Sequence, residues 1–159
     1  MIEKEIEKLV HDIKNSANGI LISVAESCTG GMLASFLTSI PGSSSFFSHG
    51  IVSYSDKAKI NLLKVSASTL SKYGAVSEEV ALEMAKGCTP GSDIAVSITG
   101  IAGPDGGSDK KPVGTVCFAI ITTQQSRSYS FYLKGSRSDI RLQSCKIALK
   151  LIIESLELL

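Results

Sequence analysis

The sequence has no tryptophan, only four prolines, two histidines and four cysteines, and aromatic residues fill 6% of its 159 positions. Each scarcity removes a class of protein. Cys28, Cys88, Cys117 and Cys145 lie 60, 29 and 28 residues apart, so no two form a C-x-x-C pair, and His11 and His49 stand alone. A structural zinc site needs clustered thiolates and imidazoles, so no metal is expected. Dispersed thiols in a cytosolic chain act as small buried hydrophobes, the expectation for Cys88, Cys117 and Cys145. Neither sign of charge dominates: 16 basic residues face 15 acidic ones for a net charge of +1. That balance leaves no electrostatic footprint for nucleic acid or a membrane surface, and Lys110-Lys111 is too short a run to make one. The apolar stretch from Gly19 to Ala25 falls far below the ~20 residues that span a bilayer. The opening Met-Ile-Glu-Lys-Glu-Ile-Glu-Lys is a charged amphipathic pattern without the regions of a signal peptide. A soluble, cytoplasmic protein is expected.

What remains is ample for one core. At 43% apolar residues, the chain fits a single domain over 1–159, since domains most often run to about 100–150 residues. Ile2, Ile6, Leu9, Val10 and Ile13 recur at helical spacing, and Asn18-Gly19 closes that helix. Ile20 to Ala25 reads as a buried strand, running through a tight turn into a helical pattern from Met32 to Leu37. Gly50 to Tyr54 reads as the next strand, followed by helices over Asp56–Leu63 and about Ser66–Lys72. Ser77-Glu-Glu starts a longer helix, a hydroxyl cap with acids in the first turn, ending near Gly87. Ile94 to Ile98 is a third buried strand; Val113–Thr122 and Arg127–Leu133 form a hairpin; Ser136 opens the last helix. Leu142, Cys145, Ala148, Leu149, Ile152, Ile153 and Leu156 form one apolar stripe on that helix, with room for a self-association surface. The expected fold is a single-domain α/β protein, a three-layer α/β/α sandwich with a mixed sheet.

Two loops that follow buried strands are rich in glycine and small polar residues, Glu26-Ser-Cys-Thr-Gly-Gly31 and Thr99-Gly-Ile-Ala-Gly-Pro-Asp-Gly-Gly107. In α/β sheets ligands gather beyond the carboxyl ends of the strands, where glycines let backbone N–H groups approach a phosphate. Ser27, Thr29, Gly30, Thr99, Gly100 and Gly103 are therefore candidate binding residues. Neither loop matches a dinucleotide fingerprint or a P-loop, and a plain Pro-Asp-Gly-Gly turn is the alternative for the second. Ser43, Ser44 and Ser45 offer exposed hydroxyls, and a serine needs a base. Tyr54-Ser-Asp-Lys-Ala-Lys59 supplies lysines, and a lysine serves once burial or nearby cations bring its pKa toward neutrality. On residue type alone, a serine-rich surface loop with solvated lysines is the alternative. A second is a thiol amidase built on Glu26, Cys28 and a lysine, with Cys28 at a helix start.

Taken in order, Ala25-Glu-Ser-Cys-Thr-Gly-Gly31, Pro41-Gly-Ser-Ser-Ser45, Tyr54-Ser, Gly74-Ala-Val-Ser77, Thr99-Gly-Ile-Ala-Gly-Pro-Asp-Gly-Gly107 and Lys111-Pro-Val-Gly-Thr115 resemble the CinA carboxy-terminal domain family, the PncC-type nicotinamide mononucleotide deamidases. The resemblance covers almost the whole chain and implies a three-layer α/β/α fold. It implies hydrolysis of nicotinamide mononucleotide to nicotinate mononucleotide and ammonia, in pyridine nucleotide recycling, by serine–lysine chemistry without a cofactor. Carried onto matching positions, the serine is Ser44, the tyrosine Tyr54 and the lysine Lys59, with Ser27 and Thr99 as further hydroxyls of the site. Relatives often read Gly-Asp-Arg where this chain has Gly135-Ser-Arg137; Arg137 and Arg141, near that helix start, are candidate ligand contacts, an exposed helix arginine being the alternative. The chain starts directly on its first helix, as in the family's stand-alone form, and a small-molecule nucleotide and a homo-oligomer (dimer or trimer) are the expected partners. A catalytically silent nucleotide-binding or competence-associated adaptor is the alternative function.

Overall fold

Two short apolar segments, buried on both faces, set the architecture in the computed structural model, which describes residues 1–159. β1 (Ile22–Glu26) is buried at every position, and β3 (Ile94–Gly100) at all but its last. They pair in parallel, Ile22 with Ile94 through Glu26 with Ile98. β2 (Phe47–Val52) adds in parallel on the other side of β1, while β4 (Thr115–Thr122) and β5 (Ser126–Tyr132) continue from β3 antiparallel. The order is β2-β1-β3-β4-β5, a mixed sheet. Near-continuous apolar runs are what a strand covered on both faces requires.

Helices supply the covers. α1 (Ile2–Ser16), α2 (Met32–Leu37) and α6 (Arg137–Leu158) pack on one face, in the large core with Ile22, Val24, Ile94 and Phe118. α3 (Asp56–Leu63), α4 (Ala67–Tyr73) and α5 (Glu78–Cys88) pack on the other, against Ala25, Ala95, Cys117 and Ala119. The result is the expected three-layer α/β/α sandwich. Four helices start on a serine whose Oγ accepts a first-turn N–H: Ser55, Ser66, Ser77 and Ser136, the last in a capping box with Asp139. Each such cap contributes about 1 kcal/mol.

Two expectations shift. β2 begins at Phe47, three residues earlier than the apolar Gly-Ile-Val run indicates, because the Phe46 carbonyl accepts the Ile22 N–H at 2.7 Å and starts the pairing with β1, whose register then shifts between Ile22 and Ser23. Ser53 and Tyr54 therefore leave the sheet and enter the turn to α3. The apolar stripe of α6 is also consumed internally: Cys145, Ala148, Leu149, Ile152 and Leu156 are buried and Leu142 and Ile153 pack against the core, so that stripe leaves no face for self-association.

The register has one consequence that decides the site. Glu26 lies opposite Val52 on one side and Ile98 on the other. One step on, the Ser27 N–H donates to Ile98 O at 2.9 Å and the Ser53 N–H to Glu26 O at 2.8 Å. Ser27, Ser53 and Thr99 thus stand level at the carboxyl ends of three parallel strands, where α/β sheets open their ligand crevice.

Gly87 tests the packing of α5 on α3. A Cβ there would stand 2.0 Å from the Leu63 carbonyl oxygen. Gly87→Ala would stabilise an isolated helix by about 1 kcal/mol; here the clash reverses the sign, and a loss of about 2 kcal/mol is expected. Thermal unfolding of the variant checks it, with Tm falling by roughly 4–8 °C.

Candidate active site

The site is built on the turn between β1 and α2. Glu26 is fully buried, and its carboxylate accepts the N–H groups of Leu33 and Ala34, each at 2.9 Å, and of Gly31 at 3.2 Å. A carboxylate at the start of a helix meets its positive end and its unpaired donors together. Gly31, with φ +99°, lets the chain reverse direction just before α2. From the opposite side Arg141 donates through Nε to Cys28 O and through Nη2 to Thr29 O, both at 3.1 Å. An anion holds the amides of this turn and a cation holds its carbonyls. The N–H groups of Cys28 and Thr29 meet no acceptor within the chain. Buried backbone donors are nearly always paired, so two neighbouring unpaired ones mark a place prepared for an oxygen from outside.

Ser27 meets Lys59 across this turn. Lys59 is 1% exposed, and its Nζ contacts Ser27 Oγ at 2.9 Å, Ser53 O at 2.9 Å and Tyr54 O at 3.2 Å. α3 delivers it: Ser55 caps that helix and starts it immediately after Tyr54, which turns position 59 inward to the ends of β1 and β2. Burial lowers the Lys59 pKa from its ordinary value, and Asp56, one helical turn earlier, is the largest influence opposing that shift. Cys28 moves the other way, its thiol pushed up to about 11 by burial. A thiol held protonated is a poor nucleophile, which counts against the thiol amidase reading.

A cavity of about 260 Å³ opens above this pair, lined by Ser27, Tyr54, Lys59, Thr99, Gly100 and Gly103 among others. Thr99 Oγ1 donates to Ala75 O at 2.9 Å and ties the end of β3 to the segment before α5. Tyr54 is 61% exposed; its hydroxyl accepts from Arg137 Nη2 at 3.1 Å, while Arg137 Nη1 donates to Gly103 O at 2.8 Å. That bridge joins the β2–α3 turn to the 99–107 loop.

The other sequence-derived candidates fall outside the cavity. Ser44 is exposed in a single 3-10 turn (Ser43–Ser45) ahead of β2, so it does not pair with Lys59 within this chain. The six residues of β2 separate the amino end, where Ser44 sits, from the carboxyl end, where Lys59 enters, by about 17 Å. Arg141 has turned inward to Cys28 and Thr29, Gly30 is exposed beside it, and the buried Thr29 Oγ1 has no partner. Asp56 and Asp105, which the motifs did not single out, do line the cavity. Asp56 was detectable, since a residue three before Lys59 shares its helix face. Nowhere do three His, Cys, Asp or Glu side chains converge as a metal site would need, and no helix is long and apolar enough to cross a membrane.

The family model of the CinA C-terminal domain matches residues 3–156. This chain belongs to the CinA C-terminal domain family. Among its relatives, the nicotinamide-nucleotide amidohydrolase PncC of Enterobacter agglomerans is 47% identical, over 94% of each chain. A CinA-like protein of Fervidobacterium nodosum is 45% identical over 94% of this chain but 37% of its own length. The chain spans about a third of the length of several such CinA-like relatives. Among solved structures, the competence/damage inducible protein CihA of Agrobacterium tumefaciens superposes with a TM-score of 0.92 at 40% identity, covering 96% of both chains. A CinA superfamily protein of Klebsiella pneumoniae superposes with a TM-score of 0.90 at 35% identity, covering 100% of this chain and 99% of its own.

Burial predicts the behaviour of the thiols in this CinA-family chain. All four cysteines are free and buried, and burial raises the pKa of each. A thiol reagent at mildly alkaline pH should leave the native protein unmodified and titrate four groups after denaturation; rapid native modification of Cys28 would contradict the assignment of its environment.

Proposed function

We propose that this chain hydrolyses the carboxamide of a nicotinamide nucleotide, nicotinamide mononucleotide first among them, with Ser27 as nucleophile and Lys59 as base. The contact of Lys59 Nζ with Ser27 Oγ carries the reading. Two carbonyls, Ser53 O and Tyr54 O, accept from the same nitrogen. A neutral amine has two N–H donors and one lone pair, so with both donors on carbonyls the lone pair faces the Ser27 hydroxyl. The lowered pKa of Lys59 favours that form. The E. agglomerans relative, matched over 94% of its length, supplies the substrate class by its name.

In this mechanism Ser27 Oγ attacks the carboxamide carbon while its proton passes to Lys59 Nζ. The carbonyl oxygen gains negative charge and is received by the unpaired N–H groups of Cys28 and Thr29. In comparable sites one such donor is worth about 3 kcal/mol. The tetrahedral intermediate collapses, the C–N bond breaks, and the proton on Lys59 goes to the leaving nitrogen as ammonia departs. Water then attacks the Ser27 ester, its proton passes through Lys59 back to Ser27 Oγ, and the nicotinate nucleotide leaves. Tyr54 and Arg137 bridge the cavity mouth and, with the 99–107 loop, bound the space left for ribose and phosphate. The setting is cytoplasmic pyridine nucleotide recycling.

Incubation with nicotinamide mononucleotide should release ammonia and exchange the amide nitrogen for oxygen in the product mass. Ser27→Ala and Lys59→Met should each lower kcat by about 10³-fold or more with the fold intact. Ser44→Ala should stay within about twofold, as for an exposed residue away from the site. Near-normal ammonia release by Ser27→Ala, or its loss in Ser44→Ala, would overturn the assignment; binding without turnover by the unsubstituted protein would favour an adaptor.

A further inference from the structure

We propose that Asp56 is a specificity-determining residue: its carboxylate receives the cationic ring of a pyridinium amide, and by neutralising that carboxylate the ring frees Lys59 to act as base. The inference rests on reading the cavity as a nicotinamide-nucleotide amidohydrolase site. It starts from an imbalance among the four charged groups that line the cavity, Asp56, Lys59, Asp105 and Arg137. Lys59 is buried, whereas Arg137 is exposed at the cavity mouth. Lys59 is engaged by Ser27, Ser53 and Tyr54, and Arg137 by Gly103 and the Tyr54 hydroxyl. Neither carboxylate enters an ion pair. Asp56 and Asp105 are therefore charges of the cavity left without an ion-pair partner, beside the exposed Tyr54, whose ring face also attracts cations.

Asp56 occupies the first position of α3, three residues before Lys59. An acid in a first helical turn complements the dipole wherever its side chain points. Here it also lines the cavity and is the main influence holding the proton on Lys59. Without a bound ring, a base that must be neutral has a carboxylate three residues away that opposes the loss of its proton. A nicotinamide joined to ribose through its ring nitrogen carries a fixed positive charge. Seated against Asp56, that charge cancels the opposing influence and adds its own repulsion to the lysine ammonium, so the base becomes competent when the right ring is present. Of the other groups around Lys59, Cys28 and Asp105 lean toward the charged amine and Arg137 away from it. Cys28, from the turn after β1, is held as the thiol by burial; the β2–α3 turn offers carbonyl oxygens and the Tyr54 phenol; Asp105 and Arg137 line the same cavity.

The test measures kcat and kcat/KM against pH for nicotinamide mononucleotide and for its 1,4-dihydro form, which keeps the amide, ribose and phosphate but has an uncharged ring. The unsubstituted protein should prefer the cationic ring by about tenfold or more in kcat/KM. With that substrate, the acid limb of kcat should lie at lower pH than the limb of kcat/KM, because the second reports the free enzyme. Asp56→Asn should bring the two substrates toward parity. It should also move the limbs of both kcat/KM and kcat to lower pH, since Lys59 loses its negative neighbour in the free protein and in the complex alike. Asp56→Glu, which keeps the charge, should retain most of the preference. Equal loss on both substrates in Asp56→Asn, or unmoved limbs, would overturn the proposal. Absence of turnover on either substrate by the unsubstituted protein would instead sink the amidohydrolase reading on which it rests.

Discussion

A buried lysine amine bonded to a serine hydroxyl is an expensive feature, because an ammonium removed from water loses its hydration and needs compensating acceptors. Lys59 finds them in the carbonyls of Ser53 and Tyr54, with Ser27 Oγ 2.9 Å from the same nitrogen, all at the carboxyl ends of β1 and β2. Those acceptors converge only because β1 and β2 run parallel in a register that puts Val52 beside Glu26. A one-residue slip would send every side chain of β2 to the opposite face and carry Ser53 away from the lysine. The pairing that sets this alignment runs from Ser23 with His49 to Glu26 with Val52, beyond a shift of register after Ile22.

The turn that carries Ser27 is held by opposed charges rather than by packing alone. Glu26 holds the amides at the start of α2 and Arg141 holds the Cys28 and Thr29 carbonyls. Because the donors and acceptors of a peptide unit point in opposite directions, fixing the carbonyls also fixes where the N–H groups face. Fixed dipoles need no rearrangement as charge develops on a reacting oxygen, and this is where such sites gain most. The site residues thereby divide their work. Glu26 and Arg141 shape the turn; in the proposed mechanism Ser27 and Lys59 move bonds and protons, and in the further proposal Asp56 sets the conditions under which Lys59 gives up its proton.

Much of the frame was readable from local chemistry. The strand, turn and helix from Ile22 to Leu37, the serine caps at 55, 66, 77 and 136, and the three-layer architecture follow from apolar runs and capping residues that act over a few positions. The two glycine-rich loops were recognisable because strand ends collect ligands. That Ser27 and not Ser44 lies against Lys59 was not readable, since it depends on which end of β2 each occupies, and that rests on pairing with a strand more than twenty residues earlier. Arg141 failed for a related reason: a helix arginine looks alike whether it faces solvent or reaches back more than a hundred residues to two carbonyls. Asp56 stands at a helix start, where an acid is ordinary, and only its three-residue spacing from Lys59 pointed to the site.

The most direct test of the Ser27–Lys59 assignment is to trap the covalent intermediate. The protein is mixed with nicotinamide mononucleotide, quenched in acid within a turnover, digested, and sequenced by fragment mass spectrometry. The account predicts a nicotinate-nucleotide ester on the peptide that contains Ser27, assigned to the serine oxygen and not to the neighbouring Cys28, and absent when Lys59 is replaced by Met. An adduct on Ser44 or Cys28 would contradict it.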